Sequence, residues 1–285
     1  MCKPYVKSPL NYTGGKYKLL DNLFDVFPQR INTFVDMFAG GFNVGINADA
    51  NKIICNDHIN YLIELYEYFK NTDTEQIIKD IKKRIKEFDL SLKNDLGYKK
   101  LRDRYNKEKN IIDFFVLICY SFNHQIRFNN SQEFNTPFGR DRSCYNQTIE
   151  NNLINFSNML KQKVIKFTNN DFTKIDYNTL KEDDFVYCDP PYLITNGSYN
   201  DGKRGFKDWT EKEEKELLEL LDKLNEQKVR FALSNVLYHK GLENTILIKW
   251  SKKYNINYIN KKYSNCSYHF KDRNTKTIEV IITNY

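Results

Sequence analysis

The run Thr33-Phe34-Val35-Asp36-Met37-Phe38-Ala39, followed at once by Gly40-Gly41 and then Gly45, constrains this chain more than any other stretch. A short apolar run predicts a strand, and adjacent glycines let the backbone turn sharply and pass close to whatever lies at the strand's end. Ile53-Ile54-Cys55 is a second apolar strand, ending at Asn56-Asp57, and Tyr61, Leu62, Leu65, Tyr66 and Phe69 then recur at helical spacing. Two β-α units are therefore adjacent. The alternation resumes with strands at Val164–Phe167 and Phe185–Cys188. A charged helix over about 210–227, a strand at Arg230–Ser234, a helix near 243–254 and a final strand at Glu279–Thr283 follow. Strands alternating with helices predict an α/β, Rossmann-like core with a mostly parallel sheet.

The middle of the chain has a different texture. Residues 71–110 are lysine-rich and helical in pattern, and 111–122 read as a buried helix. Residues 123–152 are polar and turn-rich, with Asn129-Asn130, Pro137 and Gly139 among Arg127, Arg140 and Arg142. Long irregular loops in compact domains carry function more often than not. The expected division is a core formed by 1–70 and 160–285 and an inserted, mainly helical unit over 71–159.

Composition narrows the class. With 285 residues, 40% hydrophobic and 15% aromatic, the chain can bury a sizeable core. No apolar run is long enough to span a membrane. Met1-Cys2-Lys3-Pro4-Tyr5 lacks the apolar core of a secretory signal, so a soluble, cytoplasmic protein is expected. Six cysteines (2, 55, 119, 144, 188, 266) and four histidines show no ligand spacing, and no metal is expected. Lysine plus arginine exceed acids by 44 to 37, a net charge of +7 that suits a polyanionic partner. An AT-rich genome would also produce lysine-rich usage, so charge alone decides nothing.

Two motifs carry chemistry. Glycines after a parallel strand and an acid at the end of the next one are the arrangement that receives a nucleotide-like cofactor, the acid accepting from ribose hydroxyls. Gly40-Gly41 and Asp57 hold those places, without the G-x-G-x-x-G pattern of dinucleotide enzymes. An ordinary β-α turn is the plain alternative. Asp189-Pro190-Pro191-Tyr192, directly after an apolar strand, is more telling. The N6 lone pair of adenine is delocalised into the ring, so making it attack an electrophile needs acceptors that hold the amino hydrogens. Asp189 and the Pro190 carbonyl supply two acceptors, the prolines Pro190 and Pro191 fix them, and Tyr192 offers a face on which a base can stack. The competing reading is a strand merely stopped by two prolines.

These motifs, in this order, resemble the Dam type of DNA adenine methyltransferase, the alpha group of the D12 class, and the likeness spans nearly the whole chain. Carrying it are Asn11-Tyr12-Thr13-Gly14-Gly15-Lys16, the Phe34 to Gly41 segment, the Arg127 to Arg140 stretch with Phe134-Asn135-Thr136-Pro137-Phe138-Gly139, and Asp189 to Thr195. A fifth segment, Leu233 to Leu237 through Lys261-Lys262-Tyr263, is similar to the T-even phage members, whereas Asn196 to Lys207 departs from their pattern. The resemblance implies a site-specific adenine-N6 methyltransferase that takes its methyl group from S-adenosylmethionine. Its substrate would be double-stranded DNA with the target adenine flipped out, within GATC. A restriction endonuclease of the same system is a candidate partner, and the sequence does not decide whether one exists. Position by position it places cofactor contacts on Tyr12, Lys16, Phe38, Ala39, Gly40, Gly41, Asp57, Asp171, Phe172 and Asp189. DNA contacts fall on Phe122, Asn123, Gln125, Arg127, Asn135, Pro137 and Arg140, with Arg127 reading a guanine. Competing readings are an N4-cytosine methyltransferase, which uses a related tetrapeptide, and a DNA-binding protein that has kept the fold without the activity. A nicotinamide reductase would explain neither the basic insert nor the two prolines.

Overall fold

The computed structural model describes residues 5–195, 209–259 and 277–285. Asn196 to Lys207 and Lys261-Lys262-Tyr263, singled out in the sequence, lie outside the described residues.

Among the described residues, eight strands form one sheet: β1 (Thr33–Asp36), β2 (Lys52–Asn56), β3 (Ile165–Thr168), β4 (Phe185–Cys188), β5 (Arg230–His239), β6 (Leu242–Glu243), β7 (Asn255–Tyr258) and β8 (Thr277–Thr283). The order is β3-β2-β1-β4-β5-β8-β7, with β6 paired to the end of β5. From β3 to β5 the strands run parallel, while β8 is antiparallel to both β5 and β7. The mostly parallel α/β core expected from the sequence is therefore present, closed at one edge by an antiparallel pair. Successive side chains of the central strands enter opposite cores. Phe34, Phe185, Tyr187, Ala232 and Ile281 face one, and Val35, Val186, Cys188, Leu233 and Ile282 face the other. Burial on both faces explains why these strands read as unbroken apolar runs.

The second core is covered by α7 (Glu211–Glu226), which buries Leu217, Leu218, Leu221 and Leu224, and by α8 (Thr245–Ser251). The first is covered by α1 (Leu20–Phe24), α2 (Asn60–Asn71) and the helices that follow β2 in the chain: α3 (Thr74–Glu87), α4 (Asp95–Glu108), α5 (Ile111–Tyr120) and α6 (Gln147–Gln162). Side chains of Asp73, Asn94, Asn110 and Asn146 cap α3 to α6, accepting from first-turn N–H groups. Helix α5 is buried from Ile112 to Tyr120 and carries Asp113 into the interior. That carboxylate is neutralised by Arg84 and Arg104, which also bind Glu87.

Element boundaries differ from expectation where side chains find local partners. The strand expected over 33–39 ends at Asp36, because the glycine turn begins there. The strand expected over 230–234 continues to His239, since β8 pairs along its whole length. The helix near 243–254 is confined to Thr245–Ser251, and its last expected residue joins a turn into β7, an edge strand of mixed polarity that the sequence did not announce. Within 121–143 the backbone folds back on itself through two isolated bridges, Ser121 to Phe138 and Phe128 to Phe134.

Candidate active site

The chain leaves β1 toward β2 and β3 on one side and continues in β4 and β5 on the other. The carboxyl ends of β1 and β4 thus flank the switch point where ligands of open α/β sheets bind. A cleft opens there. It is lined by Tyr12 to Lys16, Asp36 to Gly41, Asn43, Asn56 to Ile59, Asn170 to Phe172, Asp189 to Tyr192, Trp209 and Glu213. Every cofactor residue expected from the sequence lines this one cleft.

The glycine turn is built by close approach. Gly40 has φ of +47°, and a Cβ on it would lie 2.8 Å from the ring of Tyr12; one on Gly41 would lie 3.0 Å from the Tyr12 Cβ. Asp57 fastens the same turn: the Gly40 N–H donates to Oδ2 at 2.7 Å and the Ile59 N–H to Oδ1 at 2.9 Å. Burial pushes its carboxyl above the usual range, opposed by those two N–H groups. Tyr66 donates its hydroxyl to the Gly40 carbonyl from below. Asn56 ties three loops together, donating to the Met37 and Asn170 carbonyls and accepting from the Asn170 N–H and the Thr168 hydroxyl.

One wall is aromatic. Phe38, Phe172 and Trp209 have ring centroids 5.5 to 5.7 Å apart, and the Trp209 indole N–H donates to buried Glu214 at 2.7 Å. Asp171 caps its own turn through the Thr173 N–H and hydroxyl. Asp36, at the floor, accepts from the Gly45 N–H. Burial raises its carboxyl to about 8, with Asp189 and Asp57 adding to the effect.

At the far end, Lys16 Nζ lies 2.8 Å from Asp189 Oδ2 and 3.7 Å from Glu279 Oε1, and is 5.1 Å from the Tyr192 ring centroid. The Tyr192 hydroxyl contacts Asp189 Oδ1 at 2.9 Å and Glu279 Oε1 at 3.2 Å. A second cleft meets the first at this cluster, lined by Asn11 to Lys16, Asn123, His124, Gln125, Arg142, Ser143, Tyr192 and Glu279.

Of the expected DNA contacts, Asn123 and Gln125 line that second cleft, and Asn11 donates to the Asn123 carbonyl at 3.1 Å. Phe122 is exposed with the Arg142 guanidinium 4.7 Å from its ring centroid, and its N–H donates to the Pro137 carbonyl. Arg127, Asn135, Pro137 and Arg140 do not line either cleft but lie on the same folded-back segment. Arg127 donates through Nε and NH2 to the side chain and carbonyl of Asn135, at 2.8 and 3.0 Å. Sequence reasoning named Arg142 only as one arginine of the turn-rich segment and missed Asp36, Asn56, Trp209 and Glu279. Only Asp36 had a signal within reach, as an acid inside the strand that precedes the glycines.

Among the described residues no helix is long and apolar enough to cross a membrane, and no group of three metal-binding side chains occurs.

Residues 12–265 match the model of the D12 class N6 adenine-specific DNA methyltransferases. The chain is 52% identical over 281 residues to the type II methyltransferase M.FokI of Planomicrobium okeanokoites, and 48% identical over 285 residues to the modification methylase StsI of Streptococcus sanguinis. In each case 99% of this chain is matched but 43% of the relative, so the chain spans less than half the length of these proteins. A DNA adenine methylase of Escherichia coli strain K12 is 28% identical over 234 residues, 79% of each chain. A match over residues 12–265, taking in all of the first cleft and most of the second, settles the family: the chain belongs to the D12 class of N6 adenine-specific DNA methyltransferases.

Proposed function

We propose that this chain transfers the methyl group of S-adenosylmethionine to N6 of an adenine swung out of duplex DNA. The observation that carries this reading is the position of Asp189, in the first cleft just past the carboxyl end of β4, with its carboxylate held by Lys16 and Tyr192, which line both clefts. The residues fit the cofactor. An aromatic wall of Phe38, Phe172 and Trp209 suits a purine, and the glycines at 40 and 41 let Tyr12 pack directly against the turn that borders the cleft. Tyr12, Lys16, Ala39, Asp57 and Asp171 complete the holding set. When bound, S-adenosylmethionine supplies an electrophilic methyl group.

The chain's own residues do the rest. Asp189 accepts one amino hydrogen of the adenine and the Pro190 carbonyl accepts the other, localising the nitrogen lone pair toward the first cleft. Pro190 and Pro191 hold both acceptors rigid, and alignment of nitrogen with methyl removes much of the remaining barrier. Tyr192 borders both clefts and stacks on the extruded base, whose extraction is required because N6 is out of reach inside the duplex.

Residues 71–159 serve as the target-recognition unit, with 1–70 and 160–285 as the catalytic core. One hydrophobic cluster joins Ile77, Tyr98 and Phe114 to Phe34 and Phe185, so recognition is packed against catalysis rather than tethered to it. Within this unit Asn135 holds one edge of the Arg127 fork and leaves the NH1 edge for a guanine.

For the target sequence, resemblance to the Dam type gives GATC. The higher identity to a type II methyltransferase and a modification methylase favours a second reading, a modification enzyme with its own adenine-containing site and a companion endonuclease. Expression in a methylation-deficient host, followed by genome-wide mapping of modified bases, separates the two. N6-methyladenine confined to GATC supports the first, N6-methyladenine confined to another motif supports the second, and an unmodified genome contradicts both.

A further inference from the structure

Asp189 presents a conflict that the mechanism above leaves open. The target amine needs one of its oxygens, yet Oδ2 is held by the Lys16 ammonium at 2.8 Å and Oδ1 by the Tyr192 hydroxyl at 2.9 Å. Lys16 is 7% exposed at its side chain, and a buried ammonium cannot lose its carboxylate partner without a replacement. Among the described residues, Glu279 is a second carboxylate within reach of both donors. Glu279 Oε1 lies 3.7 Å from Lys16 Nζ and 3.2 Å from the Tyr192 hydroxyl, so less than an ångström of lysine movement completes the exchange.

The backbone is shaped to put it there. Glu279 sits on β8 opposite Val236 of β5, and the register slips by one residue between Val236 and Tyr238 at that point. A bulge bends its strand and re-aims nearby side chains, and such irregularities are common beside active sites.

We propose that Glu279 is a positioning residue for methyl transfer: it takes over Lys16 and the Tyr192 hydroxyl when the adenine amino group docks, freeing Asp189 to accept the amine. Two arrangements alternate, with Lys16 on Asp189 before base entry and on Glu279 after it. No bond to carbon changes in the exchange, and no net proton is moved. Burial and the nearby Asp189 push the Glu279 carboxyl above its usual range, while Lys16 and the Tyr192 hydrogen bond pull the other way. The cation it will receive thus opposes the loss of its charge.

This inference rests on the proposed adenine methylation, and the test keeps the two apart. Glu279→Gln retains shape and a hydrogen-bond acceptor but removes the charge that receives Lys16. Single-turnover methylation of a cognate duplex, at saturating labelled S-adenosylmethionine, should fall at least about 10-fold, while affinities for duplex and cofactor, measured separately, stay within about twofold. Glu279→Asp, which restores the charge on a shorter arm, should recover a rate above that of the Gln variant. This ordering would not arise from packing alone, since Gln is the closer isostere. A Gln variant that methylates within about twofold of wild type, or an Asp variant no faster than Gln, overturns the exchange. Absence of methyl transfer by the wild-type protein overturns the reading beneath it, and the exchange with it.

Discussion

Lys16 Nζ and Asp189 Oδ2 meet at 2.8 Å across 173 residues of sequence, joining the N-terminal glycine segment to the strand-end acid at the boundary of two clefts. Tyr192 closes the same cluster with its hydroxyl on Asp189 and its ring bordering both clefts. The account separates these two roles of Tyr192. Tyr192→Phe keeps the ring and should methylate within about fivefold of wild type. Tyr192→Ala loses a stacking surface worth roughly 1–3 kcal/mol per base and should slow methylation about 10- to 100-fold. A 2-aminopurine at the target position should brighten on binding wild type and the Phe variant, because unstacking relieves its quenching. Wild-type rates from the Ala variant would contradict the stacking role.

Arg127 and Asn135 form a preset pair: the asparagine occupies the Nε edge of the guanidinium, which fixes the plane of the opposite edge. Arg127→Ala should cost roughly 1–3 kcal/mol on the cognate site and relax discrimination at one base pair, leaving the other pairs read as before. Asn135→Ala should relax the same pair by less. Methylation rates on duplexes altered one pair at a time give the answer. Equal weakening on all of them would leave Arg127 as a phosphate contact.

Asp36 makes stability fall as pH rises. In the unfolded chain its carboxyl ionises near its ordinary value of 3.8, whereas burial in the fold holds it protonated to about 8. Between these values the folded state binds the extra proton, so this group's contribution is full at low pH and lost as pH rises through about 8. Asp36→Asn removes the slope, and its amide oxygen can still accept the Gly45 N–H. Thermal midpoints without cofactor, compared from about pH 5 to about pH 8, should show the variant gaining on wild type as pH increases. A constant difference would mean that Asp36 titrates normally.

Much of this was legible in the sequence because it is local. Strand, glycine pair and Asp189-Pro190-Pro191-Tyr192 occupy consecutive positions, and apolar runs report strands buried on both faces. Contacts across the fold were not legible. Asp57 stands at the strand end where the sequence puts a ribose acceptor; that its oxygens also take the Gly40 and Ile59 N–H groups is a consequence of turn geometry that no motif states. Glu279 lies 90 residues beyond Asp189 on an antiparallel strand, in a run that reads as ordinary alternation. Trp209 and Asn56 have roles set by which loops the sheet order brings together. Strand β7 escaped notice because an edge strand needs only one buried face, and Asn255-Ile256-Asn257-Tyr258 is too polar to stand out.

The central claim, that Asp189 activates the amino group of adenine, is tested most directly by nucleoside mass spectrometry of duplex DNA treated with purified protein and isotopically labelled S-adenosylmethionine. Wild type is compared with Asp189→Asn, which keeps the side-chain shape beside Lys16. The account expects labelled N6-methyladenine from wild type and at least about 100-fold less from the variant, with duplex affinity retained, since the carboxylate acts chiefly in the transition state. Labelled N4-methylcytosine, or equal N6-methyladenine from both proteins, would contradict it.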